Sequence, residues 1–328
     1  MASGVTGAPG GGRLLDAGVL ERLTRRVVGR ERELEVILAA LDANRHVLLE
    51  GPPGTGKSTL LRAVAEVAGL GFEFVEGNAE LTPSRLVGHF DPALVLAEGY
   101  SPDVFVDGPL VTALRDGSLL YVEELNRVPE ETLNALITVM SERELHVPRL
   151  GRVAASAGFR LVAAMNPFDA VGTARISSAV YDRTCRVALG YQSADDEARV
   201  VRVAAGIPTG RPAEDTWVDQ VVDLVRRTRT HSDVRVGSSV RGAIDLVLVA
   251  TSLTGFRSVP IQDPATTLDA ALVALSGRIR VREGSSRSAE EIVRSLWTTV
   301  FSPPDSPEPA DPAGDGPGKC PAPGAARG

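Results

Sequence analysis

One stretch, GPPGTGKS at Gly51–Ser58, constrains the fold of this chain more than any other. It fits the pattern G-x-x-x-x-G-K-[ST], and it follows a short apolar run at 46–51 and precedes a helical pattern at 57–67. Glycines let such a turn wrap closely, so that its backbone N–H groups and the helix start face phosphate oxygens. The stretch therefore predicts a buried strand, a phosphate-binding loop and a helix, in that order.

The loop also predicts which groups meet a nucleotide. Lys57 is expected to neutralise the β and γ phosphates, and Ser58 to ligate Mg²⁺. The predicted cofactors are ATP and Mg²⁺. The loop residues expected to surround the nucleotide are Gly51, Pro52, Pro53, Gly54, Thr55, Gly56, Lys57, Ser58 and Thr59.

A second stretch, LLYVEELNR at 119–127, ends an apolar run with two adjacent carboxylates. Like charges repel, and each loses hydration on burial, so the pair is costly unless compensating charge lies nearby. Beside a phosphate loop, such a strand carries an acid toward the metal, and a following acid can activate the attacking water. Glu123 is therefore assigned to the metal and Glu124 to the role of general base.

Short apolar runs alternate with helical patterns through the first part of the chain. Further strands are predicted at 72–77, 118–124, 160–166 and 186–191. Strands separated by helices imply crossover connections and a parallel sheet covered on both faces.

After residue 191 the strand pattern stops and helical patterns follow, with Ser193 as a cap and Ser288 and Glu291 as a capping box. The predicted fold class is thus an α/β P-loop NTPase with a parallel-sheet core at 13–192. A smaller C-terminal α-helical lid domain is predicted at 193–301.

Composition narrows the class of protein. The segments 1–12 and 302–328 are rich in Pro, Gly and Ala, and both are expected to be disordered. The first residues lack a basic region followed by an apolar core, so a signal peptide is not expected. No apolar run reaches the length needed to span a bilayer, and Cys185 and Cys320 are too few for a disulfide framework. A cytoplasmic protein is expected.

The charge balance bears on nucleic acid as a partner. A formal net charge of -7 argues against a general nucleic-acid binder. The local cluster of Arg226, Arg227, Arg229 and Arg235 is interpreted as a solvated helix end, because no aromatic residues interleave with it.

These stretches resemble motifs of the AAA+ ATPases, and within them of the MoxR family. GPPGTGKS resembles Walker A, and LLYVEELNR resembles Walker B. FRLVAAMNP at 159–167 is similar to the sensor 1 strand, with Asn166 as the polar residue that contacts the γ-phosphate or the water. VVGRERELEVILAAL at 27–41 is similar to the entry helix, which places Val28 and Gly29 near the adenine.

Two arginines acquire roles from the same resemblance. VYDRTCRV at 180–187 resembles the arginine-finger segment, which points to Arg183 as a charge donated into a neighbouring subunit's site, with Arg186 as its competitor. VGSSVRGAIDL at 236–246 resembles the lid helix that carries the sensor 2 arginine, here Arg241. Each assignment has a simpler alternative: Asn166 as a turn residue, Arg183 as a surface ion-pair partner, and Arg241 as cover for its helix face.

Two further segments resemble features of the helix-2-insert clade. ERELHVPRLGRVAASAG at 142–158 is predicted to form a hairpin, and it looks like the presensor 1 hairpin. The long passage at 78–110 resembles the helix-2 insertion. Either segment could instead be plain connecting structure.

The resemblance implies a ring, a hexamer in this family, that hydrolyses ATP and remodels or matures a client protein complex. The implied partner is a protein with a von Willebrand factor A domain. Position 123 departs from the family pattern, which has Asp there; Glu is one methylene longer, so Mg²⁺ would be held differently. The alternative is a nucleotide-gated binding scaffold or switch with slow turnover. A nucleic-acid motor is a third interpretation, against which the acidic balance argues.

Overall fold

The computed structural model describes residues 17–167 and 176–301. The two segments predicted to be disordered, 1–12 and 302–328, lie outside the described residues, and so does Cys320.

The described residues form helices and strands with the following bounds. The helices are α1 (Ala17–Arg26), α2 (Glu31–Asp42), α3 (Lys57–Ala68), α4 (Pro83–Val87), α5 (Pro92–Glu98), α6 (Pro109–Asp116), α7 (Glu130–Glu142), α8 (Ser178–Arg183), α9 (Ala194–Ala205), α10 (Pro212–Thr230), α11 (Val240–Arg257), α12 (Pro264–Leu275) and α13 (Ala289–Phe301). The strands are β1 (His46–Glu50), β2 (Phe72–Glu76), β3 (Gly88–Phe90), β4 (Phe105–Asp107), β5 (Leu119–Glu123), β6 (Glu144–Val147), β7 (Gly151–Ala154), β8 (Arg160–Met165), β9 (Thr184–Ala188), β10 (Val234–Val236) and β11 (Arg280–Val281).

A five-stranded parallel sheet organises the first part of the chain. Its strand order is β2-β5-β8-β1-β9, so β1 lies inside the sheet and every neighbouring pair is joined by a crossover. The predicted α/β fold with a parallel sheet is confirmed. The fifth strand begins two residues earlier than predicted, at Thr184, and ends at Ala188.

Both faces of the sheet are buried, which explains why β1, β5 and β8 each contain a continuous apolar run. Successive residues contribute to opposite cores: Leu48 packs with the α6 and α7 side, and its neighbour Leu49 with the side of α1, α2 and α3. The same alternation places Leu120 on the first face and Tyr121 on the second. This alternation is the period of two that defines a strand.

The C-terminal helices surround a third core. Trp217, which is 2% exposed, lies in it, and its indole N–H donates to Thr267 Oγ1 at 3.2 Å. The capping box is confirmed, because the Ser288 N–H donates to Glu291 at 2.7 Å and the Glu291 N–H donates to Ser288 Oγ at 3.2 Å. The short antiparallel pair β10–β11 in this region has no counterpart in the prediction.

The two segments compared with the helix-2-insert clade have defined structures. The predicted hairpin is confirmed as the antiparallel pair β6–β7. The passage at 78–110 forms α4, then the antiparallel pair β3–β4 with α5 between its strands. In the described part of the chain, no helix is both long enough and apolar enough to cross a bilayer.

The interpretation of the arginine cluster as a solvated helix end is wrong for two of its members. Arg226 and Arg229 both donate to Glu197, at 3.1 and 2.7 Å, and Glu197 is only 2% exposed. Arg229 also covers the ring of Tyr191 at 3.9 Å. The sequence cannot show this arrangement, because the buried carboxylate comes from α9, 29 and 32 positions before the two arginines.

Candidate active site

Several of the predicted site residues lie at one edge of the central sheet. Gly51 follows β1, Glu124 follows β5 and Asn166 follows β8, and parallel strands bring these carboxyl ends to the same edge. The Gly51 N–H donates to the carbonyl of Met165, the last residue of β8, at 3.2 Å. The phosphate loop and β8, which Asn166 follows, are therefore joined directly.

Two glycines of the phosphate loop adopt backbone conformations that favour glycine. Gly54 and Gly56 have φ of 74° and 81°, in the left-handed region that side chains disfavour. A Cβ on Gly54 would lie 2.1 Å from Ser239 Oγ, so the loop passes directly against the start of α11. The Thr55 hydroxyl closes the turn by donating to the Pro52 carbonyl at 3.0 Å.

Lys57 is the first residue of α3 and is 8% exposed. Its Nζ donates to the carbonyls of Gly51 at 2.9 Å and Pro52 at 3.0 Å. Burial lowers the pKa of Lys57, while the neighbouring Glu124 and Glu123 oppose that shift. The ammonium thus lies over the loop's own carbonyls, with both acids of the pair close by.

Ser58 and Glu123 form a direct oxygen pair. The Ser58 hydroxyl donates to Glu123 Oε1 at 2.7 Å. Among the described residues, no group of three or more His, Cys, Asp or Glu side chains could hold a metal alone. A hydroxyl and one carboxylate fit Mg²⁺, which binds through one or two carboxylates together with nucleotide phosphates.

Glu124 has an unusual backbone conformation. Its φ of 51° and ψ of 45° place a side-chain-bearing residue in the left-handed region, which costs on the order of 1–3 kcal/mol and is concentrated at functional sites. Arg127 Nε lies 3.6 Å from Glu124 Oε2. The left-handed conformation of Glu124 therefore turns the chain out of the direction of β5.

Gly77 holds this turn, and the sequence prediction gave it no role. Its N–H donates to the Glu123 carbonyl at 2.7 Å. A Cβ on Gly77 would lie 2.4 Å from the Glu124 carbonyl oxygen, so only glycine allows this approach. The one sequence feature that could have indicated it is a glycine as the last residue of a predicted strand.

Arg241 lies close to the phosphate loop. It occupies the first turn of α11, and its Cδ would lie 3.8 Å from a Cβ on Gly54. Its charge is also close enough to Lys57 to contribute to the lowered pKa of that lysine. Asn166 is half-buried at the end of β8.

Val28 and Gly29 contact the start of the helical region. Gln192 donates from its side-chain amide to the Val28 carbonyl. Gly29 has a φ of 62°, and a Cβ there would lie 2.3 Å from Asp196 Cγ. The segment that contains Val28 and Gly29 therefore lies against the connection between β9 and α9 and the start of α9.

Arg30 was missed by the sequence prediction. It is 4% exposed, and its guanidinium donates to the carbonyls of Thr55 at 3.2 Å and Gly190 at 2.7 Å. It also pairs with Glu33 at 2.9 Å. Arg30 thereby ties the phosphate loop to the connection that leads into the helices.

Arg183 and Arg186 have different surroundings. Arg186 pairs with Glu50, which is 5% exposed, precedes the phosphate loop and also accepts from the Tyr181 hydroxyl at 2.9 Å. Arg183 donates to the Ala179 carbonyl at 3.0 Å and to the Ser141 hydroxyl. Arg186 thus neutralises a buried carboxylate of its own chain, whereas the hydrogen-bonding partners of Arg183 lie on α7 and α8.

Solved structures with a similar fold include a mutant of Thermotoga maritima RuvB. It is 17% identical, with a TM-score of 0.51, over 77% of this chain and 72% of that one. The Thermotoga maritima RuvB Holliday junction branch migration motor matches with 17% identity and a TM-score of 0.50, over 76% and 72% of the two chains. At this identity the likeness concerns the fold alone.

Sequence relatives extend across both parts of the chain. An uncharacterized protein of Staphylococcus aureus (strain NCTC 8325) is 30% identical over 227 residues, 67% of this chain and 84% of that protein. The uncharacterized protein YeaC of Bacillus subtilis (strain 168) is 29% identical over 312 residues, 87% of this chain and 93% of its own length. Residues 46–184 match the family model of the AAA domain (dynein-related subfamily). With the phosphate loop, the acidic strand end and this strand order on one sheet edge, the chain belongs to the AAA+ ATPase family.

Proposed function

We propose that the protein is a cytoplasmic, ring-forming ATPase of the MoxR type that remodels or matures a client protein complex. The observation that carries the ATPase proposal is the convergence of Lys57, Ser58, Glu123 and Glu124, with Ser58 and Glu123 in direct contact at 2.7 Å. The proposed ligands are ATP and Mg²⁺.

Each group at the sheet edge has a role in this proposal. The loop N–H groups and Lys57 bind the β and γ phosphates. Ser58 and Glu123 would hold Mg²⁺, which when bound supplies positive charge at the phosphates. Glu124 accepts a proton from the attacking water, and Asn166 contacts that water or the γ-phosphate.

The helical region is proposed to act as a lid. Arg241 lies beside Gly54 and Lys57, so movement of α11 would carry a positive charge toward or away from the phosphates. Arg30, which joins the loop to the Gly190 carbonyl, provides a physical link for that movement.

The assembly is proposed to be a hexameric ring in which Arg183 enters the neighbouring subunit's site. Its position on α8, away from the Glu50 ion pair that engages Arg186, supports that choice. The proposed partner is a protein with a von Willebrand factor A domain, on the resemblance to the MoxR family alone.

Two substitutions test the ATPase proposal. Lys57→Ala is expected to abolish binding of a fluorescent ATP analogue, because it removes the cation that neutralises the phosphates. Glu124→Gln is expected to keep binding but to lower phosphate release by at least about a hundredfold, as loss of a general base does. Light scattering in the presence of ATP would show whether this variant accumulates as an assembled ring.

Glu131→Gln, at an exposed position on α7, provides the matched control for loss of a carboxylate. It should turn over ATP at the unmodified rate. If Glu124→Gln also did so, the assignment of the base would be wrong.

A nucleotide-gated switch is the second candidate, and Glu123 is the observation that favours it. Its longer side chain reaches Ser58 from a position where the family has Asp. In a switch restrained by this residue, Glu123→Asp raises the turnover rate; in a motor that Glu123 does not restrain, the rate stays unchanged.

A further inference from the structure

Tyr121 is a buried residue of β5 to which the proposed function gives no role. It lies two residues before Glu123, so both side chains point to the sheet face that α3 covers. Its side chain is 0% exposed, and its hydroxyl lies 3.3 Å from Ser58 Oγ. The ring is fixed by Phe72 and Phe74 of β2, whose centroids lie 6.1 and 5.7 Å away.

The direction of the hydrogen bonds follows from the number of protons. Ser58 has one hydroxyl proton, and it goes to Glu123 Oε1, because an ionised carboxylate can only accept. Either oxygen could donate in the contact between Tyr121 and Ser58, and since the Ser58 proton goes to Glu123 we take the phenol as the donor; the Glu123 side chain is the second hydrogen-bonding neighbour of the Tyr121 hydroxyl. The result is a directed chain, from the Tyr121 hydroxyl to Ser58 Oγ and from Ser58 Oγ to the Glu123 carboxylate.

This chain removes the rotational freedom of the Ser58 hydroxyl. A serine hydroxyl ordinarily turns to suit its surroundings, and it has one proton and two lone pairs. Here the proton is committed to Glu123 and one lone pair to Tyr121. One lone pair remains for a cation.

We propose that Tyr121 is a positioning residue that orients the Ser58 hydroxyl for Mg²⁺ binding together with Glu123. The proposal rests on the proposed function, because it requires Mg²⁺ and nucleotide at this site. Tyr121 would act through Ser58 and would touch neither the nucleotide nor the attacking water. The rigid ring is what makes this orientation reproducible, since Phe72 and Phe74 keep it in place.

Tyr121→Phe tests the proposal, because it removes the hydroxyl and keeps the packed ring. Affinity for a fluorescent ATP analogue is measured in EDTA and then as Mg²⁺ is added. The affinity in EDTA is expected to stay within about twofold, while the Mg²⁺ concentration at half-effect rises roughly threefold to tenfold, as loss of one hydrogen bond predicts. Tyr100→Phe is the matched control, because it removes a phenol hydroxyl from a half-exposed residue in the segment 78–110. It should leave the Mg²⁺ concentration at half-effect unchanged.

A second arm tests whether Tyr121 acts through Ser58. In a Ser58→Ala background, Tyr121→Phe should change the Mg²⁺ dependence clearly less than it does in the unmodified protein, because the group it orients is gone. A further change of the same size in that background would overturn the proposal.

The remaining outcomes are also decisive. An unchanged Mg²⁺ dependence in a Tyr121→Phe protein that unfolds in urea like the unmodified protein would overturn the proposal. If the unmodified protein bound no nucleotide with or without Mg²⁺, the proposed function itself would fail, and that result is distinguishable from the others.

Discussion

Acidification should destabilise this protein through His46, the first residue of β1. The imidazole is 6% exposed, and its Nδ1 accepts a hydrogen bond from the Leu161 N–H at 2.9 Å. Burial lowers the pKa of His46 from 6.5 to about 4, and the charges of Arg143, Arg160 and Arg45 add to the effect. The folded protein therefore keeps this side chain neutral in a pH range where the unfolded chain binds a proton.

The sign and size of the effect follow from linkage. Because the unfolded state binds more protons between pH 6.5 and about 4, the free energy of unfolding decreases as the pH falls through that range. The whole shift of the His46 pKa, from 6.5 to about 4, corresponds to about 3 kcal/mol of free energy of unfolding. Between pH 7 and pH 5 the loss from His46 alone is about 2 kcal/mol, since the unfolded imidazole is mostly protonated at pH 5 and the folded one mostly neutral.

Urea unfolding at pH 7 and pH 5 measures this loss against a matched variant. His46→Asn is suitable, because its side-chain oxygen can accept from the Leu161 N–H and does not titrate. The other three histidines are common to both chains, so their contributions cancel in the comparison. The unmodified protein should lose about 2 kcal/mol more than the variant between the two pH values. Equal losses would refute the assignment of a buried neutral imidazole.

Three further predictions concern Gly77 and the two arginines Arg183 and Arg186. Gly77→Ala should lower phosphate release roughly tenfold to a hundredfold, with ATP-analogue binding in EDTA nearly unchanged, because its Cβ would displace the Glu124 carbonyl from 2.4 Å away; an unchanged turnover rate would contradict this. Arg183→Ala should reduce turnover of the assembled ring by about a thousandfold with little change in urea stability. Arg186→Ala should instead lower the stability, because it leaves the buried Glu50 carboxylate without its cation; the reverse pattern would make Arg186 the finger.

Local patterns sufficed to predict the main elements and the first residues of the site. The phosphate loop, the strand that ends at Glu123 and the capping box of α13 each occupy a few consecutive residues, and their chemistry depends on near neighbours in sequence. The order of short apolar runs and helices also predicted the parallel sheet, since such alternation requires crossovers. Features that depend on neighbouring residues in the sequence could therefore be predicted from the sequence.

Contacts between segments that are distant in sequence could not be predicted in this way. Gly77 and Glu124 are 47 positions apart, yet their backbones approach so closely that a side chain would not fit. Arg30 reaches the Gly190 carbonyl, 160 positions away. The neighbouring sequence does not show the role of either residue, because each role is defined by what the fold brings next to it.

The sequence by itself determined which chemical groups are available at the candidate site. They are the ammonium of Lys57, the hydroxyl of Ser58, the carboxylates of Glu123 and Glu124, and the phosphate loop. Tertiary structure alone decided how those groups act on one another. It placed the Tyr121 hydroxyl 3.3 Å from Ser58 and committed Arg186 to the buried Glu50. The physical reason is that residue type and local spacing fix which groups are available, whereas hydrogen-bond direction, burial and charge pairing depend on distances between strands and helices that only the folded chain sets.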